Sequence, residues 1–310
     1  MDCLPAFGTG IYEVLVPTLE VYTPLIEANA ARIDAASVQT YSYGEHPRQK
    51  LDIYLPTESG SSSTTPNPIL VFLYGGGFTN GDKVNQNKPL FYRNLGYFFS
   101  QKGQLETIII DYRLVKHGAK FPDGGEDLSE ALAWVDRRYS GQKRPLFILG
   151  NSAGGMHACA WLFEPIFKDT RRALIESSNG IRITGIVLVG VLYHFGYSTA
   201  SLKERLASYL GTELDHYSPM ISARRCLESG ELMSAGLPPV LVIDSELDPD
   251  DILRATQDFI SVLRKSNYLE IKYLQAQGHN HISPPLALGT GIPGEEDWAF
   301  QVLSFINGLL

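Results

Sequence analysis

The sequence predicts an α/β fold: a mostly parallel central sheet with helices on both faces and a small lid insertion late in the chain. Three observations point there. Ile69-Leu70-Val71-Phe72-Leu73 and Thr107-Ile108-Ile109-Ile110 are wholly apolar runs of strand length, as strands covered on both faces require. Between such runs lie segments whose apolar residues recur at helical spacing, such as Leu128, Ala131, Leu132, Val135 and Tyr139. The alternation of strand and helix continues to the end of the chain, which suits one doubly wound sheet.

Residues 1–40 have moderate apolar content and read as an N-terminal arm or part of a lid, with a helix from Leu25 to Ala36. Leu51-Asp52-Ile53-Tyr54-Leu55 alternates apolar and polar residues, the pattern of a half-buried edge strand. Ser59 to Pro68 is rich in Ser, Thr, Gly, Pro and Asn and reads as an exposed turn. After the two apolar strands and the helix around Leu132, Pro145 to Leu149 forms another strand. Further strands are expected at Ile186 to Leu192, Val240 to Ile243 and Ile271 to Leu274. Ile252, Ala255, Phe259 and Leu263 mark one late helix, and Trp298, Val302, Phe305 and Leu309 mark the last. No internal repeat is visible. Residues 1–310 read as a single domain, with residues 193–237 inserted between two core strands.

Composition narrows the class. Hydrophobic residues make up 44% and charged residues 19%, ordinary for a globular protein with a sizeable core. A net charge of −8 without a basic stripe argues against nucleic acid as a partner. Cys3, Cys159 and Cys226 are too scattered for a disulfide framework and suit a reducing compartment. Met1 to Pro5 lacks the basic start and apolar core of a signal peptide, and no run has the length of a membrane span. A cytoplasmic protein is expected, with homodimerisation left open.

The chemistry is carried by Gly150-Asn151-Ser152-Ala153-Gly154-Gly155, directly after the apolar strand. A buried strand that ends in G-x-S-x-G and enters a helix reads as a nucleophile elbow. Its turn holds the serine in a strained conformation and admits only small neighbours. The helix N-terminus lends positive potential behind the Ser152 hydroxyl.

A serine is a poor nucleophile at neutral pH without a base, and the base needs an orienting carboxylate. Two later strands end suitably. Asp244-Ser245-Glu246-Leu247-Asp248 follows one, and Gln277-Gly278-His279-Asn280-His281 follows the other. The order Ser, Asp, His is the one expected for this type of sheet. Asp248 lies far enough past its strand to turn back over the sheet, with Asp244 as the alternative acid. Asp250 and Asp251 suit a helix N-terminus. His279 and His281 both qualify as the base. The H-x-H pair lacks a third ligand cluster, so no metal is expected, and no cofactor. Tyr74-Gly75-Gly76-Gly77-Phe78 follows an apolar strand and exposes backbone N–H groups. Gly76 and Gly77, with Ala153, would form an oxyanion hole. A phosphate loop would need a Lys-Ser/Thr pair, which Phe78-Thr79-Asn80-Gly81 lacks.

These pieces together resemble an α/β-hydrolase of the hormone-sensitive-lipase and kynurenine-formamidase-like esterase branch. The resemblance runs from about Tyr41 to the C-terminus. It rests on the Tyr74 to Phe78 loop, the Gly150 to Gly155 elbow and Asp111-Tyr112-Arg113-Leu114. Phe121-Pro122, Glu126-Asp127 and Ala133-Trp134-Val135 also match. It implies Ser152 as nucleophile, Asp248 as acid, and Gly76, Gly77 and Ala153 as oxyanion donors. His281-Ile282-Ser283 fits the formamidase-like pattern better than His279 does. Two departures stand out: Tyr74 replaces the usual His, and Asn151 the common Asp beside the nucleophile. By the same likeness residues 193–237 are part of a lid. Tyr193, His194 and Phe195 either face the substrate pocket, with Tyr74, Phe78 and Asn151, or pack the lid onto the sheet.

The expected activity is hydrolysis of a carboxylic ester, with amide, formamide or lactone as variants and a small apolar or aromatic molecule as substrate. One rival reading keeps the site but performs condensation, cyclisation or acyl transfer. Another is a non-catalytic ligand-binding relative.

Overall fold

Eight strands form one sheet in the order β1-β2-β4-β3-β5-β6-β7-β8. The computed structural model describes residues 2–57, 66–85, 87–229, 236–265 and 270–310. The strands are β1 Val38–Ser42, β2 Lys50–Tyr54, β3 Ile69–Leu73, β4 Glu106–Ile110, β5 Arg144–Asn151, β6 Ile181–Val189, β7 Val240–Leu247 and β8 Ile271–Asn280. The six from β4 to β8 run parallel, while β1 and β2 are antiparallel to their neighbours. Leu51 to Tyr54 is therefore not at an edge: β2 is paired on both sides and buried, and β1, absent from the sequence reading, forms the rim.

Side chains alternate between two cores, as the pleat dictates. From β3, Ile69, Val71 and Leu73 enter one core with Leu128, Leu132 and Val135 of the helix α4 that spans Asp123–Arg138. Leu70 and Phe72 enter the other, with Leu95, Phe98 and the C-terminal Trp298 and Val302. Each such fully buried side chain contributes roughly 2–3 kcal/mol of transfer free energy. Earlier in the chain come α1 Ile11–Glu27, α2 Ala30–Asp34 and α3 Arg93–Tyr97. Later helices are α5 Ala153–Phe163, α6 Lys168–Ile175, α7 Ala200–Leu210, α8 Pro219–Glu228, α9 Asp250–Arg264, α10 Ser283–Ala287 and α11 Asp297–Asn307. Helix α5 is buried along its whole length, between the sheet and α4 and α8.

The N-terminal segment differs from its sequence reading. The long helix is α1, whose Val14, Thr18, Tyr22 and Ile26 form a buried face at four-residue spacing. The stretch from Leu25 to Ala36 is broken, because Asn29 Nδ2 donates back to the Leu25 carbonyl at 2.9 Å and ends the helix. Strand β8 also runs to Asn280, so His279 lies in a strand where a loop was expected. Of the predicted turn, residues 59–65 lie outside the described residues, as do residues 230–235 of the insertion. Among the described residues no helix is long and apolar enough to cross a membrane.

Candidate active site

Strand β5 ends at Asn151 and α5 begins at Ala153, so Ser152 alone makes the turn. Its backbone sits at φ 51° and ψ −120°, a conformation that side-chain-bearing residues avoid and that costs on the order of 1–3 kcal/mol. Ser152 N–H donates to the Val189 carbonyl at 2.8 Å, tying the turn to β6. Gly154 permits the approach of α5: a Cβ there would lie 2.3 Å from the Leu73 carbonyl oxygen. The Ser152 side chain is lifted to the C-terminal edge of the parallel strands and stays partly open to solvent.

Asp248 and His281 reach this edge from the ends of β7 and β8. Asp248 is 1% exposed and bonded on both oxygens. Its Oδ2 accepts from Ser245 N–H at 2.7 Å, and its Oδ1 accepts from His281 Nδ1–H at 2.6 Å. A carboxylate can only accept, so the proton on His281 is fixed at Nδ1 and Nε2 is left as an acceptor. Nε2 lies 3.0 Å from Ser152 Oγ, within hydrogen-bond reach of the hydroxyl.

The two alternatives lie elsewhere. Asp244 is fully buried and accepts from Thr256 Oγ1 at 2.8 Å, with no bond to either histidine. Burial, and then the nearby Asp248 charge, push its pKa up to about 8. His279 donates from Nε2 to the Glu295 carbonyl at 3.1 Å and takes the Ser283 hydroxyl on Nδ1 at 2.8 Å. Burial pushes its pKa down to about 4, although Glu295 works against this. It is a neutral bridge between Ser283 and the Glu295 carbonyl.

The glycine loop after β3 lies against the elbow, since a Cβ on Gly75 would come within 3.0 Å of Ser152 Cβ. Gly76 has φ 131°, and a Cβ there would lie 2.2 Å from the Asn80 carbonyl oxygen. Only glycine fits. Among the described residues the N–H groups of Gly76, Gly77 and Ala153 find no acceptor in the protein. Gly76 and Gly77 are exposed.

Tyr74 is no part of an open pocket. It is fully buried and donates its hydroxyl to Asp111 Oδ1 at 2.7 Å, while Arg48 Nη2 donates to it at 2.5 Å. Tyr112 in turn donates to the Tyr74 carbonyl at 2.7 Å. Arg113, of the same motif, pairs with buried Asp127 at 2.8 Å. Asn151 is buried and donates to the Val189 carbonyl at 3.3 Å. Phe78 stacks on Tyr209 of α7 with centroids 4.3 Å apart. Tyr193 stacks on Phe259 of α9 at 3.9 Å, and Phe195 is fully buried in the same core. His194 donates to Asp258 of α9 at 3.1 Å. Through these contacts the residues after β6 pack this segment onto α9. Phe78, Met156, His157 and Tyr209 line a void of about 10 Å³, room for about one water. Arg48 and Asp111, which hold Tyr74, carried no signal for a site in the sequence beyond the Asp111-Tyr112-Arg113-Leu114 match. Among the described residues no group of three or more His, Cys, Asp or Glu could hold a metal ion.

Comparison with known proteins agrees with this architecture. The BD-FAE family model matches residues 51–187. The chain is 26% identical over 255 residues to a probable isoprenylcysteine alpha-carbonyl methylesterase of Oryza sativa subsp. japonica, covering 77% of this chain and 56% of that protein. It is 24% identical over 255 residues to Esterase LipC of Mycobacterium tuberculosis, covering 77% and 58%. The chain thus spans about half the length of the curated relatives it matches. Among solved structures, a fungal esterase from Rhizomucor miehei has a TM-score of 0.65 at 19% identity, over 94% of this chain and 88% of that one. Esterase B from Lactobacillus rhamnosis has a TM-score of 0.61 at 16% identity, over 100% and 96%. At such identities the shared property is the fold.

Proposed function

We propose that this chain, whose fold is that of the α/β-hydrolase esterases, hydrolyses a carboxylic ester through Ser152, His281 and Asp248. One observation carries the reading: the continuous relay from Asp248 Oδ1 through His281 to Ser152 Oγ, at 2.6 Å and 3.0 Å. His281 Nε2 takes the hydroxyl proton as Ser152 Oγ attacks the ester carbonyl. Asp248 holds the imidazole tautomer and stabilises the imidazolium that forms. The N–H groups of Gly76, Gly77 and Ala153 receive the tetrahedral oxyanion, where losing one donor costs on the order of 3 kcal/mol. His281 then returns its proton to the leaving alkoxide. Water, activated by the same nitrogen, releases the acid and frees Ser152.

The rice and mycobacterial relatives are named as esterases, which supports the reaction class. The described residues of 193–237 act as the lid of a single domain, with α7 and α8 over α5, and residues 2–40 form an arm beside the site. The substrate is a small molecule. Ser152→Ala tests the reading. Turnover of p-nitrophenyl acetate is expected to fall by about 10⁴-fold or more, with the unfolding transition in place. A folded variant that keeps most of its activity overturns the mechanism, whereas negligible turnover of this simple ester by the wild type favours the condensing or transfer chemistry of the rival reading.

A further inference from the structure

The residue between the two histidines has no role in the relay, yet its side chain makes three hydrogen bonds. Asn280 is fully buried. Its Oδ1 accepts from Ile282 N–H at 3.0 Å and from Ser283 N–H at 3.1 Å. Its own N–H donates to Ser283 Oγ at 3.1 Å. These bonds join the residue before His281 to the two residues after it, so the backbone that carries the imidazole is closed into a small ring.

The remaining group of the Asn280 amide points to a distant part of the chain. Nδ2 donates to Thr18 Oγ1 at 2.8 Å, across 262 positions of sequence. Thr18 is fully buried on the inner face of α1. One helical turn further on, Tyr22 donates its hydroxyl to Glu295, the residue whose carbonyl takes His279 Nε2–H. The N-terminal helix is thereby tied twice to the end of β8, directly at Asn280 and through Glu295 at His279. A buried amide bonded at both ends fixes one geometry, because a shift leaves polar groups unpaired.

On the reading of His281 as the general base, we propose that Asn280 is a positioning residue for it, held in register by Thr18 of the N-terminal helix. Asp248 sets the rotation of the imidazole, and the Asn280 ring sets where its backbone stands. A displacement of about 1 Å in such a group costs on the order of 100-fold in rate. Thr18→Val keeps the shape and removes the acceptor, Thr18→Ser keeps the acceptor, and Asn280→Ala removes the whole clamp.

The test uses the full chain and two readouts: steady-state hydrolysis of p-nitrophenyl acetate, and the rate at which a fluorophosphonate modifies Ser152. Asn280→Ala is expected to lower kcat about 100-fold and Thr18→Val about tenfold, with KM little changed and the phosphonylation rate falling in step. Thr18→Ser is expected to restore kcat to within about twofold of the wild type. If Asn280→Ala does not fold, the two Thr18 variants decide. A wild-type Ser152 that is reactive, with rates that Thr18→Val leaves unchanged in the folded protein, overturns this inference alone. A wild-type Ser152 that neither hydrolyses nor labels overturns the parent reading and this one with it.

Discussion

Tyr74 donates its phenolic hydrogen to Asp111 across 2.7 Å, and both side chains lie beneath the glycine loop that meets Ser152. Arg48 closes the triangle, 3.2 Å from Asp111 and 2.5 Å from the Tyr74 oxygen. Burial and the Asp111 charge push the Tyr74 pKa well above its ordinary value, so the phenol remains a donor throughout the working range of pH. Where the resembled branch carries a histidine, this chain anchors its loop with a neutral donor on a buried ion pair.

Tyr74→Phe removes that anchor without opening a cavity. A buried hydrogen bond to a charged partner is worth about 1.5–3 kcal/mol, so a drop of that size in unfolding free energy is expected. Loosening of Gly76 and Gly77 should lower kcat by about tenfold and leave KM nearly unchanged. Thermal unfolding and steady-state kinetics check the two halves separately. Lost stability with undiminished kcat would detach the anchor from catalysis.

Asp244 gives a dependence of stability on pH that carboxylates seldom show. Its folded pKa, raised to about 8 by burial and by Asp248, lies above the ordinary carboxylate value. From about pH 4 to about pH 8 the folded state therefore holds a proton that the unfolded chain has released, so this group's contribution is lost as pH rises. Asp244→Asn keeps the neutral shape. Urea unfolding at about pH 5 and about pH 8 should show the wild type losing more stability over that interval than the variant. Parallel losses would contradict the assignment.

His279 acts in the opposite sense. Burial lowers its folded pKa to about 4, below the ordinary histidine value. As pH falls from about 6.5 to about 4 the unfolded chain takes up a proton that the folded state refuses, so stability is lost on acidification, by on the order of 3 kcal/mol. Buried His157, lowered to about 3, adds to the same slope. His279→Gln should flatten the acid limb of the stability curve relative to wild type. An unchanged acid limb would show that this imidazole titrates freely.

Much of this molecule is legible in its sequence, for physical reasons that differ from place to place. Strand β3 announces itself because a strand covered on both faces admits no polar residue. The elbow is legible because the close approach of α5 to the Leu73 carbonyl demands glycine at a fixed offset from Ser152. Helix α1 is hidden because Pro17 and Pro24 break its local signal, and only the buried face of Val14, Thr18, Tyr22 and Ile26 sustains it. The placement of β2 inside the sheet depends on β1, whose residues are largely exposed and carry no apolar pattern. Tyr193 and Phe195 look the same in sequence whether they line a cavity or pack on α9, because an aromatic ring suits both. The bond from Thr18 to Asn280 joins positions too far apart for any local pattern to announce it.

The most direct measurement of the central claim is the site and rate of fluorophosphonate labelling, read by mass spectrometry of the modified peptide. It is made on the wild type, His281→Ala and His279→Gln. The proximity of His281 Nε2 to Ser152 Oγ at 3.0 Å predicts a label on Ser152 in the wild type, loss of the label in His281→Ala, and retention of most of its rate in His279→Gln. A label on any other serine, or a His281→Ala protein that reacts as fast as the wild type, would contradict it.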